Sequence, residues 1–129
     1  MKKLRKAAVI LLTAYVLIAG TILYLMKCPA KFMPFTSEYF TDEEITEAMN
    51  MAYEEAENTL GKLGCNILKV EYEGDSTSNG KDLIYIRTPF FTGFAEMGNI
   101  EPLRFDHGWH YDLKKNKDGK WEIIGWGHL

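Results

Sequence analysis

The run AAVILLTAYVLIAGTILYLM at residues 7–26 contains no charged side chain, and it organises the rest of the chain. A helix rises about 1.5 Å per residue, so these twenty residues match the roughly 30 Å hydrocarbon core of a bilayer. Its apolar side chains point in every direction, and Thr13 and Thr21 can return their hydroxyls to the helix backbone. The sequence therefore predicts an uncleaved transmembrane anchor over residues 7–26.

Three alternatives to an anchor are weaker. A cleaved secretory signal has an apolar region of about 7 to 15 residues and ends in a small-x-small site, which Leu17 and Ile18 spoil upstream of Ala19. A lipoprotein signal needs small residues before its cysteine, whereas Leu25, Met26 and Lys27 precede Cys28. A buried core helix is the third interpretation.

The charges that flank residues 7–26 predict the orientation. Residues 1–6 carry Lys2, Lys3, Arg5 and Lys6, whereas only Lys27 and Lys31 follow closely. The excess of basic residues faces the cytoplasm in most membrane proteins. We therefore expect residues 1–6 in the cytoplasm and the remaining chain outside it.

The part of the chain after Met26 is long enough for one small domain. It contains all 18 acidic residues and 11 of the 15 basic ones. This negative balance argues against nucleic acid as a partner, because phosphates require a basic face, and we expect none. It also disfavours flat adsorption to an anionic lipid surface. Solubility is the simplest reason for such a balance.

The two cysteines do not predict a disulfide. Cys28 lies at the membrane boundary, and Cys65 follows Gly64 at the start of a predicted strand, where we expect a buried and chemically inert thiol. Acylation of Cys28 is supported only by its juxtamembrane position.

Residues 27–40 predict a short stem that ends where a helix begins. Phe32 and Phe35 of this stem can lie either at the membrane interface or against the domain. Thr41 and Glu44 have the spacing of a capping box, and Phe40 and Ile45 that of a hydrophobic staple. The helix then presents one apolar stripe and ends at Gly61 and Gly64. The stripe consists of Ile45, Ala48, Met49, Ala52, Ala56, Leu60 and Leu63.

Four strand-like runs follow this helix, at residues 66–73, 82–88, 103–114 and 121–126. Residues 74–81 form a polar loop, residues 90–102 a long connection, and Asp118-Gly119 a hairpin turn. Residues 41–129 are therefore predicted to be one α+β domain, with one long helix on a curved, mostly antiparallel four-stranded sheet.

The order of these elements resembles small extracytoplasmic bacterial domains of uncharacterised function in the cystatin-like, nuclear-transport-factor-like superfamily. The residues that carry the resemblance are Phe40 to Met49, Gly64-Cys65, Trp109 and Gly119 to Gly127. The resemblance implies either ketosteroid-isomerase-like enzymes with a pocket between sheet and helices, or noncatalytic pocket and dimerisation modules. The chain has one long helix where pocketed members have more, so a deep closed pocket is not expected, and the fold alone assigns no function.

The candidate catalytic residues lie in the segment Asp-His-Gly-Trp-His-Tyr-Asp. Asp106, His107 and His110 are the candidates, with Asp112 and His128 as further acid-base groups. In a regular strand His107 and His110 face opposite sides, and Asp106 and His110 stand about 13 Å apart, so a shared metal requires a bulge at Gly108. The chain has no nucleophile elbow and no glycine-rich phosphate loop, and we predict no metal and no cofactor.

The candidate binding residues are aromatic. Phe90, Phe91 and Phe94 lie in the long connection with Met97, and Trp109 and Trp126 lie on the neighbouring hairpin with Tyr111 and Trp121. Rings on long loops are common binding anchors, although a small domain also needs many of them for its core.

The sequence as a whole favours a noncatalytic, membrane-anchored module that binds a small ligand or a protein partner outside the cytoplasm. The alternative is an isomerase- or hydrolase-like enzyme that uses a histidine or aspartate of the third strand.

Overall fold

The computed structural model describes residues 1–76, 82–95 and 101–128. The first helix, α1 (Lys2–Lys27), contains the predicted span and is long and apolar enough to cross a membrane. Thr13 and Thr21 donate hydrogen bonds of 2.8 Å to the carbonyls of Val9 and Leu17, so both hydroxyls are satisfied within the helix.

The segment after α1 adds a strand that the sequence did not predict. In β1 (Lys31–Phe32), the Lys31 N–H donates to the Leu68 carbonyl, parallel to β3 (Lys69–Ser76). The predicted count of four strands is therefore wrong, since this sheet has five. A two-residue strand next to Pro29 is too short to show an alternating pattern.

The side chains of this segment pack on the domain. Phe35 is packed against the core, and the Phe32 ring lies 5.5 Å from that of Tyr53. The sequence left two positions open for these rings, at the membrane interface or against the domain. The structure places them against the domain.

The second helix, α2 (Asp42–Thr59), begins as predicted. The Glu44 N–H donates to Thr41 Oγ1 and the Thr41 N–H donates to Glu44 Oε1, which forms the capping box. The predicted stripe is buried from Ile45 to Leu60, but Leu63 is exposed. The reason is that the 3-10 turn Gly61–Leu63 ends the helical spacing before Leu63 and leads into Gly64, whose φ is 94°.

The larger sheet has the order β1-β3-β4-β7-β8. Its other strands are β4 (Leu83–Arg87), β7 (Trp109–Lys115) and β8 (Trp121–His128), all antiparallel to their neighbours. The core lies between this sheet and α2 and includes Val70, Ile84, Ile86, Tyr111 and Leu113. The α+β class is confirmed.

A second sheet with the order β2-β5-β6 lies beside the first. It consists of β2 (Asn66–Ile67), β5 (Phe90–Phe91) and β6 (Phe105–Asp106). Two predicted strands, 66–73 and 103–114, are each divided between the two sheets, and β5 lies in the predicted long connection. The second division occurs at His107 and Gly108, where Asp106 Oδ1 accepts the Gly108 N–H at 3.1 Å and turns the chain.

Candidate functional site

Asp106 and His128 form the best-defined pair of ionisable side chains near the predicted site. Asp106 Oδ2 lies 2.5 Å from His128 Nε2, while Asp106 Oδ1 accepts the Gly108 N–H. The Asp106 side chain is largely buried, whereas that of His128 is more than half exposed. Asp106 therefore fixes the orientation of an imidazole whose other ring edge can face solvent.

The sequence named both residues but did not bring them together. The hairpin register alone does not pair them, because counting back from the turn places Gly127 opposite Trp109. Only the register shift between Asp112 and Leu113 brings His128 opposite Trp109. The turn at His107 and Gly108, in which Asp106 Oδ1 accepts the Gly108 N–H, then leaves Asp106 Oδ2 in contact with His128.

Trp109 adjoins this pair, and Tyr111 adjoins Trp109. The Trp109 ring centroid lies 6.4 Å from that of His128 and 6.5 Å from that of Tyr111. Within residues 1–76, 82–95 and 101–128, neither the Trp109 indole N–H nor the Tyr111 hydroxyl makes a hydrogen bond of good geometry. Burial raises the pKa of Tyr111, so its hydroxyl stays protonated at neutral pH.

Cys65 does not supply a thiolate to this pair. Burial raises the pKa of the Cys65 thiol, and the negative charge of Asp106 raises it further. The neutral thiol is the weakly reactive form, so nucleophilic catalysis by Cys65 is disfavoured. Cys65 is buried, as the sequence predicted.

His107 and His110 lie apart from the Asp106–His128 pair. The exposed His107 ring stacks on Phe105 at a centroid distance of 6.2 Å and borders a cleft of about 400 Å³ next to Arg87. His110 lies opposite Arg87 in the sheet, and its Nε2 is 3.6 Å from Asp112 Oδ1. Among the described side chains, no three of the metal-ligating type converge on one point.

Arg87, which lines that cleft, forms ion pairs with two glutamates. Its guanidinium contacts Glu71 at 2.7 Å and Glu73 at 2.6 Å. The hydrogen bond from Arg87 to Glu71 raises the pKa of Arg87, with Glu73 adding to the effect. Because two carboxylates already neutralise the Arg87 guanidinium, this residue is poorly suited to bind an anionic ligand.

The candidate binding aromatics separate into core and surface residues. Phe90 and Phe91 are 0% and 3% exposed and belong to the core, and Trp109 is half-buried. Phe94 and Trp126 are 67% and 68% exposed, the first after β5 and the second on β8. Met97 lies outside the described residues.

Two features of the surface were not anticipated. The first is the outer edge of β8, where Ile124 and Trp126 are both exposed. The second is Asn66, whose Nδ2 donates to the carbonyls of Leu25 at 2.7 Å and Cys28 at 2.9 Å. No local sequence pattern predicts the hydrogen bonds of Asn66, because their acceptors are about forty residues away in the chain.

Comparison of the chain with protein-family models, with curated proteins and with solved structures gives no match. The resemblance to cystatin-like domains stays a prediction that rests on the residues quoted for it.

Proposed function

We propose that the protein is a single-pass membrane protein whose domain lies outside the cytoplasm and binds a partner protein without catalysis. The uncharged run at residues 7–26 of α1 supports the anchor, and the four basic residues before that run support a cytoplasmic N-terminus. The Asn66 hydrogen bonds to Leu25 and Cys28 support a domain held next to the membrane.

The observation that carries the binding proposal is the β8 edge. Within the described part of the chain, β8 pairs only with β7, so one side of its backbone is open to a further strand. Natural edge strands are commonly protected by charges, prolines, β-bulges or short length. β8 has a bulge at Ile124 and one charged residue that could protect it, Glu122, but it has eight residues and presents Ile124 and Trp126 to solvent.

An extended apolar segment of another protein fits this edge. Strand addition satisfies the open backbone groups of β8, and alternate side chains of the added strand can pack on Ile124 and Trp126. Trp is among the residues that most often dominate the free energy of protein binding.

A small ligand is supported less well. The groove next to residues 34–39 and Tyr72 has a volume of about 470 Å³, but its polar groups bind one another. Asp75 Oδ2 accepts hydrogen bonds from both Ser37 and Tyr72. Small-ligand sites instead offer a few convergent polar groups over an apolar lining.

Site-specific photocrosslinking in native membranes tests the binding proposal. A photoreactive residue in place of Trp126 should form an adduct with a partner protein, and the same residue in place of Asp118 should not. Ile124→Lys should abolish the adduct, because a charge on an edge strand opposes strand addition. Lys120→Glu, a charge change in the exposed hairpin turn, is the matched control and should leave the adduct intact. An adduct that survives Ile124→Lys would refute binding at this edge.

The isomerase- or hydrolase-like alternative rests on the Asp106–His128 pair. A carboxylate that orients an exposed imidazole is a common arrangement for general acid-base catalysis. His128→Ala should then abolish the cellular function while the Trp126 adduct persists, and His107→Ala should be neutral. If His128→Ala is also neutral, the enzyme alternative fails.

A further inference from the structure

We infer that the end of the domain next to α1 lies in the interfacial layer of the bilayer that α1 spans. The apolar foot, defined as Leu63, Phe94 and Leu103, is the part of the domain that enters this layer. This inference rests on the proposed membrane anchor.

The position of the foot follows from its distance to α1. Met26 is the last residue of the uncharged run, so a spanning α1 places it where hydrocarbon meets headgroups. A Cβ built on Gly93 would lie 3.5 Å from both Cγ and Cε of Met26. Phe94, the next residue in the chain, is therefore held at the same depth.

The burial of α1 gives independent support. Ile22, Leu25 and Met26 are half-buried and share one side of the last turns of α1, whereas Leu23 and Tyr24 on the other side are exposed. The domain therefore covers a stripe of α1 that begins within the predicted span. A domain that stood clear of the membrane would leave Ile22 uncovered.

Asn66 fixes this arrangement. The last carbonyls of a helix have no partner within the helix, and Asn66 Nδ2 satisfies those of Leu25 and Cys28. Asn66 belongs to β2, which pairs with β5, and Gly93 and Phe94 follow β5 after Thr92. The same short sheet thus holds both the end of α1 and the foot.

The foot is apolar and its backbone segments are adjacent. Leu63, Phe94 and Leu103 are 52%, 67% and 42% exposed. The Leu103 N–H donates to the Gly93 carbonyl at 2.6 Å, and the Gly64 carbonyl oxygen lies 3.3 Å from the Cβ position of Gly93. Burial of such side chains in the interface removes apolar surface from water, which is favourable by roughly 25 cal/mol per Å².

The charges at this end fit a headgroup layer. Lys27 and Lys62 are exposed beside the foot, and Arg104 is paired with Glu101 at 3.1 Å. Lysine side chains next to a membrane attract anionic lipids. The net negative charge of the whole domain opposes broad adsorption, so the contact is limited to the foot.

A depth measurement on the full chain tests this inference. Phe94→Cys in a Cys28→Ser background carries an environment-sensitive fluorophore, and the protein is reconstituted into phosphatidylethanolamine–phosphatidylglycerol vesicles with nitroxide-labelled lipid. Asp118→Cys is the matched control. Trp121 just after that turn donates to the Glu44 carbonyl at the start of α2, and α2 is about 27 Å long. The control label therefore lies at the opposite end of the domain from Leu60 and Cys65.

The label at position 94 should lose most of its emission to the nitroxide lipid and resist aqueous iodide, and the label at position 118 should show the reverse. A second label at Leu63→Cys should behave like that at position 94.

If position 94 is quenched by iodide as strongly as position 118 while the protein resists carbonate extraction, the inference is wrong and the anchor stands. If carbonate extracts the protein, the proposed anchor fails, and the inference fails with it. Protection from both quenchers would show that a protein covers the foot, which also overturns the inference.

Discussion

Trp121 joins the last strand to the start of α2 through one side chain. Its indole N–H donates to the Glu44 carbonyl at 2.9 Å, and its ring packs 5.4 Å from that of Phe40. We expect Trp121→Phe to lower the free energy of unfolding by about 1–3 kcal/mol, because the part-buried Glu44 carbonyl loses this donor and the phenyl ring is smaller than the buried indole. Urea unfolding of the full chain in detergent measures the difference.

Trp126→Phe is the control for this substitution. Trp126 is exposed on β8, so the same change there should alter the free energy of unfolding by less than about 0.5 kcal/mol. Equal effects at the two positions would contradict the role given to the Trp121 hydrogen bond.

The lowered pKa of Glu44 makes the free energy of unfolding depend on pH. The hydrogen bond from Lys115 lowers the pKa of Glu44 below its ordinary value of 4.5, and the Thr41 N–H lowers it further. The unfolded chain therefore binds this proton more readily, so the stabilisation is present above about pH 4.5 and is lost as the pH falls through the lower, folded-state pKa. Glu44→Gln should flatten this acid limb in urea titrations from pH 3 to pH 7.

Glu43→Gln is the matched control for the pH measurement, since Glu43 is exposed in the same turn of α2. The control should retain the acid limb of the unmodified chain. A Glu44→Gln chain with an unchanged acid limb would refute the assignment.

At the residue scale, the sequence predicts what depends on near neighbours. The Thr41–Glu44 capping box was predictable because three residues separate its members. The pairing of Asp106 with His128 and of Asn66 with Leu25 depends on how distant elements meet. The periodicity of the sequence does not tell which distant elements come into contact.

At the scale of elements, the joint between α1 and β2 decides how the domain is held. Asn66→Ala removes hydrogen bonds to two carbonyls, each worth about 1 kcal/mol, so the joint should open at least about tenfold more often. Trypsin should then cleave after Lys27 about tenfold faster in the folded protein. Asn50→Ala, on the exposed side of α2, should not change the rate. An unchanged rate for Asn66→Ala would show that Met26 and Gly93 alone hold the joint.

The strands show that alternation of polar and apolar residues does not reveal where a strand is interrupted. The alternation across residues 103–114 predicted one strand, yet the turn at Gly108 divides it between two sheets. Alternation describes which faces side chains occupy, and it continues unchanged through a break that redirects the backbone. β1 and β5 have two residues each and are below the length at which alternation is visible.

At the scale of the whole molecule, the α+β class and the apolar helix were predictable because both depend on long, regular patterns. The candidate site was predicted only in part. Phe90 and Phe91 are core residues, while Phe94 and Trp126 are surface residues, and a list of aromatic positions cannot separate these roles. Burial depends on the completed fold, including the second sheet, in which Phe90 and Phe91 form the central strand.

The proposed topology, with α1 across the membrane and the domain outside, also belongs to this scale. Asp118→Cys in a Cys28→Ser background places one accessible thiol in the exposed β7–β8 turn, while the remaining Cys65 is buried. Labelling of intact cells that express this variant, with a membrane-impermeant maleimide, separates the two possible topologies. Position 118 should be labelled equally fast before and after permeabilisation, and labelling that requires permeabilisation would contradict a domain outside the cytoplasm.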